Sequence, residues 1–427
     1  MTDLILADAR LIDPETGYDG PGALRIAEGR IAEIARGATP AAPEGATAID
    51  CGGKPLAPGL VDMRVFVGEP GERHKESYRT AGEAAAAGGV TTITVQPDTD
   101  PPVDDPAVLE FAQRRAERAS AVRVAPMAAL TKGLKGREMA EYGFLLDAGA
   151  CAFTDASNPV ADPTVFRNCL DYAGSLGALV VHHPQDPAMA AEGCVTESRF
   201  ASRLGLPGVH PMAERMMLDR DLALVEVTGA RYHADQITTR AALDVMRRAK
   251  DAGLPVTCGV SHHHFTLNEF DLEDYPTFFK LDPPLRGETD RAAVAEAVAE
   301  GLIDVVCSSH RPQDEESKRQ PFEVAATGAI GLETLLPGAL KLFHDGLCDL
   351  PTLFRRLSLA PARLLGLDGG RLAAGAPADL VLFDPDEPYV LDRFALKSKS
   401  KNTPFDRRLM TGRALRTWVG GREVFAR

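Results

Sequence analysis

The sequence predicts an α/β protein: a (β/α)8 barrel of the TIM type with a small β-sandwich domain formed by both termini. Eight short apolar runs alternate with helical segments through the middle of the chain, and β-rich segments lie at both ends. A doubly wound sheet would need a glycine-rich phosphate turn after its first strand, and the sequence has neither GxGxxG nor GxxxxGK[ST]. We therefore divide the chain into sheet domain 1–57, barrel 58–365 and sheet domain 366–427.

The middle of the chain has the strand-helix-strand rhythm of βαβ units, which build a parallel sheet. The predicted strands are 58–66, 89–95, 122–130, 150–155, 178–183, 230–236, 254–264 and 303–310. The clearest predicted helices, rich in Ala, Glu and Arg, are 106–119, 162–174, 212–227, 239–252 and 288–300. Eight such units are the number that closes a barrel.

The two ends of the chain have a different pattern of short apolar strands joined by tight turns. Residues 2–50 form a hairpin pattern around Glu28 and Gly29, and the C-terminal segment repeats it around Gly420 and Gly421. Two β-rich ends that bracket one long middle predict a single sheet domain built from both termini.

Composition limits the classes of partner and the compartment. The 427 residues are 44% hydrophobic and 25% charged, with a net charge of -14 that argues against nucleic acid or a membrane surface as the main partner. The seven cysteines are widely spread and form no CxxC, which favours reduced thiols over a disulfide framework. The N-terminus lacks the pattern of a secretory signal, and no apolar run approaches the ~20 residues that span a bilayer. We expect a soluble, cytoplasmic protein.

Polar side chains collect at the predicted strand ends, where barrel enzymes place their chemistry. These positions are Arg64 and Phe66, Asp155, His182 and His183, His233 with Asp235 and Gln236, and Ser308 to His310. Histidine and aspartate at successive strand ends indicate a metal-dependent hydrolase barrel, but an incomplete one.

The chain resembles the long bacterial dihydroorotases of the amidohydrolase superfamily. The motifs that carry the resemblance are APGLVDM, GGVTTITVQPDTDP, FTDASNPV, RLGLPG, VTGARYHADQITT, DPPLR, SSHRPQ, GAIGLETLLP, GAPADLVLFDP and LKSKSKNTPFD. The resemblance implies an enzyme of pyrimidine biosynthesis that hydrolyses the ring amide of dihydroorotate with one or two zinc ions.

The resemblance also shows which functional positions are altered. Asp155 and His183 match ligand positions and remain, whereas the two histidines of the first strand are replaced by Arg64 and Phe66. A guanidinium and a benzyl ring cannot ligate zinc. A further histidine ligand falls at Gln236, and the aspartate that acts as ligand and general base falls at Ser309.

Several substrate contacts implied by the family are altered as well. These are the carboxylate-binding arginine at Gly68, two asparagines at Asp98 and Asp282, a histidine at Gln313, and an alanine that has become Arg311. Two of six metal or base positions survive, so we expect no catalytic residues, no substrate-binding residues and no zinc cofactor, with at most a weak partial metal site.

One hypothesis comes from physics rather than from the family. Without a metal ion, Asp155 would be a lone carboxylate in a barrel mouth, and an unpaired buried charge costs several kcal/mol. Arg64 lies at the same mouth, so we expect an Arg64–Asp155 salt bridge, with Phe66 filling the vacated volume.

Three functions follow. The first is a non-catalytic dihydroorotase-like subunit that holds catalytic chains of aspartate carbamoyltransferase in a larger assembly, as the resemblance implies; self-association of the chain is left open. The second is a zinc-dependent dihydroorotase or other cyclic amidohydrolase with a rearranged site, using Asp155, His183 and either His233 or His310. The third is a regulatory module that binds a small anion between Arg64 and Arg311.

Three other features receive structural interpretations. The histidines at 262–264 cannot converge on one ion from a regular strand, because neighbouring strand residues point to opposite faces. Cys258 and Cys307 are expected to be small core residues. The KSKSK run at 397–401 is expected to be a solvated loop, packed near the junction of barrel and sheet.

Overall fold

A computed structural model describes residues 3–40, 43 and 45–427. The other five positions belong to the predicted first part of the sheet domain and lie outside the described residues. No helix in the described part is both long enough and apolar enough to cross a membrane.

The strands are β1 (Leu4–Asp13), β2 (Tyr18–Ala27), β3 (Arg30–Arg36), β4 (Thr47–Asp50), β5 (Pro55–Pro58), β6 (Leu60–Val65), β7 (Val90–Val95), β8 (Arg123–Pro126), β9 (Ala128–Ala129), β10 (Phe153–Thr154), β11 (Leu179–His182), β12 (Val195–Thr196), β13 (Gly208–Val209), β14 (Arg231–Ala234), β15 (Val256–Ser261), β16 (Val305–Cys307), β17 (Leu380–Val390), β18 (Leu409–Val419) and β19 (Arg422–Ala426).

The α-helices are α1 (Tyr78–Ala87), α2 (Pro106–Ala119), α3 (Tyr142–Asp147), α4 (Pro163–Ser175), α5 (Pro187–Ala190), α6 (Arg199–Leu204), α7 (Met212–Thr228), α8 (Arg240–Asp251), α9 (His263–Thr266), α10 (Glu288–Glu300), α11 (Glu315–Lys318), α12 (Leu335–His344), α13 (Leu350–Phe354) and α14 (Ala360–Leu364). Short 3₁₀ turns lie at Lys132–Leu134, Glu269–Leu272, Thr277–Phe279 and Arg393–Ala395, and a π-helical turn lies at Arg355–Leu359.

The two termini form one eight-stranded sheet, as predicted. Its order is β19-β18-β17-β5-β1-β2-β3, with β4 paired to β1. The two ends of the chain meet where β17 pairs antiparallel with β5, through Leu380 opposite Pro58. An apolar cluster that includes Leu6, Leu56 and the fully buried Trp418 covers this sheet.

The barrel strands are parallel, and all eight predicted runs contain one. Pairing connects β6-β7-β8 and, separately, β9-β10-β11-β14-β15-β16; β8 and β9 are successive parts of one predicted strand. The barrel closes where His310 N donates to Arg64 O at 3.1 Å and Phe66 N donates to His310 O at 2.9 Å. The predicted barrel is therefore confirmed, whereas the domain limits at 57/58 and 365/366 stay a prediction.

Local signals explain where the helices begin. Asp105 and Asp162 accept hydrogen bonds from the first turns of α2 and α4, and each helix has proline at its first position. An acidic N-cap satisfies free N–H groups, and proline fits the first turn because its nitrogen needs no partner there. These N-terminal caps therefore fix the residue at which each helix begins after the loop at the barrel mouth.

The Asp379 carboxylate joins the barrel to the terminal sheet. It accepts hydrogen bonds from Arg123 Nε (2.6 Å) and Nη2 (3.1 Å), and from Gly420 N (2.7 Å).

We expect Asp379→Asn to lower the free energy of unfolding by about 1–2 kcal/mol, because the substitution removes the charge from a largely buried acceptor. Urea unfolding measures this change. The exposed Asp386→Asn is the control, and equal midpoints for both variants would contradict the prediction.

Candidate active site at the barrel mouth

The carboxyl ends of the barrel strands surround a cavity of about 170 Å³. Its lining includes Arg64, Phe66, Asp282, Ser309 and Arg311, so several of the positions singled out from sequence lie together. This is the place where a barrel enzyme keeps its chemistry.

Arg64 projects from the end of β6 into this cavity and is buried. Its Nη1 contacts Asp235 Oδ2 in an ion pair, and its Nη2 donates to Ser157 Oγ at 2.8 Å. The side chains of Arg64 and Asp235 are 8% and 6% exposed. The guanidinium thus links the ends of β6 and β14 and the loop after β10.

The expected salt bridge between Arg64 and Asp155 is wrong. Asp155 Oδ1 accepts from Thr131 N at 2.8 Å, and its Oδ2 accepts from the Thr131 hydroxyl. The turn after β9 supplies these donors, so the carboxylate needs no guanidinium. Burial raises the pKa of Asp155 to about 6, against the lowering effect of the Thr131 hydrogen bonds.

Phe66 is buried and forms a stack with Arg311. The Arg311 guanidinium lies 5.1 Å from the centre of the Phe66 ring, and its Nη1 donates to Asp98 Oδ2 at 2.6 Å. Phe66, Arg311 and Asp98 therefore form one packed group, held by a cation–π contact and an ion pair. Three altered family positions support one another.

Gly68 lies where the backbone leaves no room for a side chain. A Cβ atom at this position would lie 2.3 Å from Glu72 O. The loop after β6 has closed onto the position that holds the family's carboxylate-binding arginine, and an arginine could not enter without moving that loop.

His183 is buried, and neither of its ring nitrogens has a hydrogen-bond partner among the described residues. Its Nε2 lies 3.6 Å from Asp282 Oδ1, which accepts from Gln185 Nε2 at 3.0 Å. Among the described residues, the His183 ring therefore lies beside a carboxylate and makes no hydrogen bond to backbone. Burial raises the pKa of Asp282, but His183 and Arg64 outweigh it and hold this pKa below its usual range.

Two of the remaining altered positions have hydrogen-bond partners within the chain. Gln236 is fully buried; its Oε1 accepts from Ser261 N at 3.0 Å and its Nε2 donates to Cys307 Sγ at 3.1 Å. Gln313 Nε2 donates to Thr327 O at 2.8 Å. Ser309 lines the cavity in a left-handed conformation with φ 48°.

The two histidines that the rearranged-site hypothesis would use, His233 and His310, instead interact with other side chains and backbone groups. His233 Nδ1 bonds Thr257 Oγ1 at 2.8 Å, and burial lowers the pKa of His233 to about 3. His310 Nδ1 accepts from Gly331 N at 3.1 Å, which leaves Nε2 to face Glu76 Oε2 at 3.4 Å.

The residues present do not fit the zinc that the resemblance implies. Within residues 3–40, 43 and 45–427, no group of three or more His, Cys, Asp or Glu side chains is arranged to hold a metal ion. Asp155 is engaged by Thr131, and the Arg64 guanidinium puts a fixed positive charge into the mouth. A zinc site needs three or four converging neutral or anionic donors.

The anion hypothesis at the mouth meets a similar obstacle. Arg64 is paired with Asp235 and Arg311 with Asp98, while Asp282 adds a further carboxylate to the lining. These charges leave no excess of positive charge to attract an anion.

The other structural interpretations are met in part. The run at 262–264 leaves the strand, because β15 ends at Ser261 and α9 starts at His263, so the argument from strand alternation does not apply. His262 Nε2 bonds Thr334 Oγ1 at 3.0 Å and His264 Nε2 bonds Pro283 O at 2.9 Å, which is a structural role.

Cys258 and Cys307 are buried, as predicted. In the KSKSK run, Lys397 and Lys399 are exposed, but Ser398 and Ser400 are buried. Ser398 Oγ donates to Glu76, which precedes α1, so the run packs onto the barrel rather than forming a wholly solvated loop.

Sequence reasoning missed Asp235 and Thr131 as the partners that decide the site. Asp235 was visible as an acid at a strand end, but so was Asp155. Nothing in the spacing shows that the turn after β9 folds back to bond Asp155.

Fold and mouth together define an amidohydrolase-type barrel, and solved structures agree. The chain is similar to the L-hydantoinase (dihydropyrimidinase) of Arthrobacter aurescens, with TM-score 0.90, 25% identity and coverage of 100% of this chain and 96% of that chain. The dihydropyrimidinase of Brevibacillus agri matches in fold, with TM-score 0.85, 20% identity and coverage of 100% and 95%.

Sequence relatives identify the family to which the chain belongs within this class of barrels. The family described as dihydro-orotase-like matches residues 53–242. A dihydroorotase of Geotalea daltonii is 38% identical over 425 residues, covering 100% of both chains, and one of Anaeromyxobacter dehalogenans is 39% identical over 427 residues, covering 99% and 98%. The chain belongs to the dihydroorotase family.

The Arg64–Asp235 pair generates a stability prediction. We expect Arg64→Met to cost about 3–5 kcal/mol of unfolding free energy, because Asp235 is left buried and unpaired. The double variant Arg64→Met/Asp235→Leu is expected to recover most of this loss. Urea unfolding of the cycle measures the coupling between the two residues. Arg114→Met, which removes the exposed Arg114–Glu110 pair, is the control; additive effects at 64 and 235 would rule out the buried ion pair.

Asp155 generates a pH prediction. Its folded pKa of about 6 exceeds the ordinary 3.8, so the folded chain binds this proton more tightly than the unfolded chain does. The free energy of unfolding therefore falls as pH rises through the range between these two pKa values, by up to about 3 kcal/mol. Urea unfolding midpoints measured across this pH range test the assignment. We expect the midpoint of Asp155→Asn not to fall with pH, whereas the midpoint of the exposed control Asp147→Asn should fall as it does in the wild type. Parallel profiles for wild type and Asp155→Asn would refute the assignment.

Proposed function

We propose that this chain is a non-catalytic member of the dihydroorotase family that acts as a structural subunit. Its proposed partners are the catalytic chains of aspartate carbamoyltransferase, with no cofactor of its own. One observation carries the proposal: the buried Arg64 guanidinium, paired with Asp235, lies where the resemblance places a zinc-binding histidine.

The chemistry of the mouth supports the loss of catalysis. The family's reaction needs a metal to polarise the amide carbonyl and to activate a water. The Arg64 guanidinium has no lone pair to offer a metal where the resemblance places a histidine ligand, and Ser309 stands where the general base would be. A hydroxyl at neutral pH is too weakly basic to replace a carboxylate in accepting a proton from water.

The substrate side of the mouth supports it as well. The backbone at Gly68 approaches Glu72 O too closely for any side chain, and Arg311 is paired with Asp98. A substrate carboxylate would have to displace an existing ion pair to gain a partner, so both recognition and chemistry are weakened.

The structural role rests on what remains intact. The barrel, the terminal sheet and the KSKSK loop are packed, with Ser398 bonded to Glu76 and Asn402 Nδ2 donating to Gly328 O at 3.0 Å. A folded scaffold without its chemistry is what a subunit that only holds partners requires. The seven cysteines are free thiols, in keeping with the proposed cytoplasmic location.

Zinc content and turnover test the loss of catalysis. We expect the purified chain, loaded with excess zinc and then dialysed, to retain far less than one metal per chain and to hydrolyse no dihydroorotate, because its donor set is incomplete. The Geotalea daltonii relative, treated identically, serves as the reference protein. Stoichiometric zinc with turnover that Asp155→Asn abolishes would overturn the proposal.

Purification at native expression levels tests the partnership. We expect aspartate carbamoyltransferase to elute with the tagged chain in a complex larger than either protein, and to lose activity or stability when the chain is stripped away. Sedimentation analysis of the separated and recombined proteins measures the complex. Independent sedimentation with unchanged carbamoyltransferase activity would exclude the structural role.

A further inference from the structure

A second cavity, of about 230 Å³, lies outside the barrel mouth. The segment after β16, which contains α11, forms one wall, and the segment between β17 and β18 forms the other. We call it the junction cavity; its functional lining is Gln313, Lys318, Arg393, Phe394, Lys399 and Lys401. Two of these lysines belong to the KSKSK run.

The charge of the junction cavity is positive. Four basic side chains and His74 face two carboxylates, Asp314 and Glu315. Asp314 Oδ1 accepts from Ser317 N at 2.8 Å, and Glu315 pairs with Arg319 at 2.8 Å. Asp314 Oδ2 also lies 4.0 Å from His74 Nε2, and Arg393 is paired with Asp406, so the three lysines carry the basic excess that is left for a ligand.

Two buried polar atoms of the lining make no hydrogen bond with the described residues. Gln313 is 8% exposed, and its Oε1 accepts no hydrogen bond, although its Nε2 is bonded to Thr327 O. Arg393 Nε is buried without a hydrogen bond, with Asp406 Oδ2 at 3.5 Å. A buried polar atom without a partner is unfavourable, so Gln313 calls for a donor beside it, whereas Arg393 already has the Asp406 carboxylate as its ion-pair partner.

Aromatic rings hold the Arg393 guanidinium in place. It lies 5.2 Å from the ring centre of Phe278 and 4.7 Å from that of Phe394, which is 70% exposed. A guanidinium fixed against rings loses little freedom on binding, and its planar fork suits an anionic oxygen pair.

Lys318 adds a proton-linked group. It is 3% exposed, and its Nζ donates to Thr277 O at 3.0 Å. Burial, helped by the charge of Lys280, lowers the pKa of Lys318 to about 7. The other charged or titratable groups that line the cavity with it are His74, Asp314, Glu315, Arg393, Lys399 and Lys401. An anion would favour the charged amine, so binding near neutral pH would take up a proton.

We propose that the junction cavity binds a small organic anion that also carries an O–H or N–H donor. A phosphate monoester and a hydroxycarboxylate share this chemistry. A cavity of about 150 Å³ holds benzene, so the junction cavity has room for roughly ten non-hydrogen atoms. The site is separate from the barrel mouth, where both arginines are paired with carboxylates.

Calorimetric titration of the full chain tests the site with glycerol 3-phosphate and malate, at constant ionic strength. We expect saturable binding of at least one of them. Sulfate, which lacks a donor, and glycerol, which lacks a charge, should bind at least tenfold more weakly. The stronger of the two organic anions identifies the source class. Binding of neither, or equal binding of sulfate, overturns the proposal.

Variants locate the site. Gln313→Leu and Arg393→Gln are expected to weaken the organic anion at least tenfold. Gln320→Leu, an exposed neighbour, and Arg408→Gln, an arginine that stacks on Phe279 outside the cavity, should retain wild-type affinity. Titrations in buffers of different ionisation enthalpy should show proton uptake near pH 7 that Lys318→Met removes. Unchanged affinity in both cavity variants, each shown to be folded by its thermal transition, would place the ligand elsewhere.

Discussion

The buried pair between Arg64 and Asp235 is the constraint on which the barrel mouth depends. A guanidinium taken out of water must be neutralised nearby, and the pair does so by joining the ends of β6 and β14. Ser157, from the loop after β10, takes a further N–H at 2.8 Å. One side chain therefore links three strand ends from the centre, which is also what a metal ion achieves by drawing ligands from several strands. The cation is covalently part of the chain and cannot dissociate.

The other changes at the mouth are consistent with this central charge. Phe66, which directly follows β6, stacks against Arg311, and Asp98 neutralises Arg311 in turn. Both amide atoms of Gln236 form hydrogen bonds within the barrel wall, to Ser261 and Cys307. A site that had only lost its ligands would contain holes and unmet charges at every former contact. Here most of the replaced positions have new partners, so the mouth is a repacked interior, although within the described part of the chain both ring nitrogens of His183 still lack a hydrogen bond.

The sequence was sufficient for the barrel because each strand is a continuous apolar run that needs no distant information. The altered positions could likewise be interpreted one at a time, since neither Arg64 nor Phe66 can ligate zinc in any fold. Which carboxylate pairs with Arg64 could not be predicted from the sequence. Asp155 and Asp235 are both acids at strand ends, and the choice between them depends on Thr131 turning back towards Asp155. The closed loop at Gly68 and the bend that ends β15 before the three histidines depend on tertiary packing in the same way, which no periodicity records.

The paired mouth and the basic junction cavity differ for a physical reason. At the mouth every arginine faces a carboxylate, so a small anion gains little by entering and would have to separate two ion pairs. At the junction Arg393 is also paired, with Asp406, but Lys318, Lys399 and Lys401 are held by backbone carbonyls. Carbonyl partners orient an ammonium without cancelling its charge, so the positive field remains available to a ligand. Asn402 Oδ1 accepts from Gln313 N at 3.1 Å and Asn402 Nδ2 donates to Arg311 O at 3.1 Å, which connects the wall of this cavity to the rim of the mouth. Attraction for anions has thus been separated from the place where the family performs its chemistry.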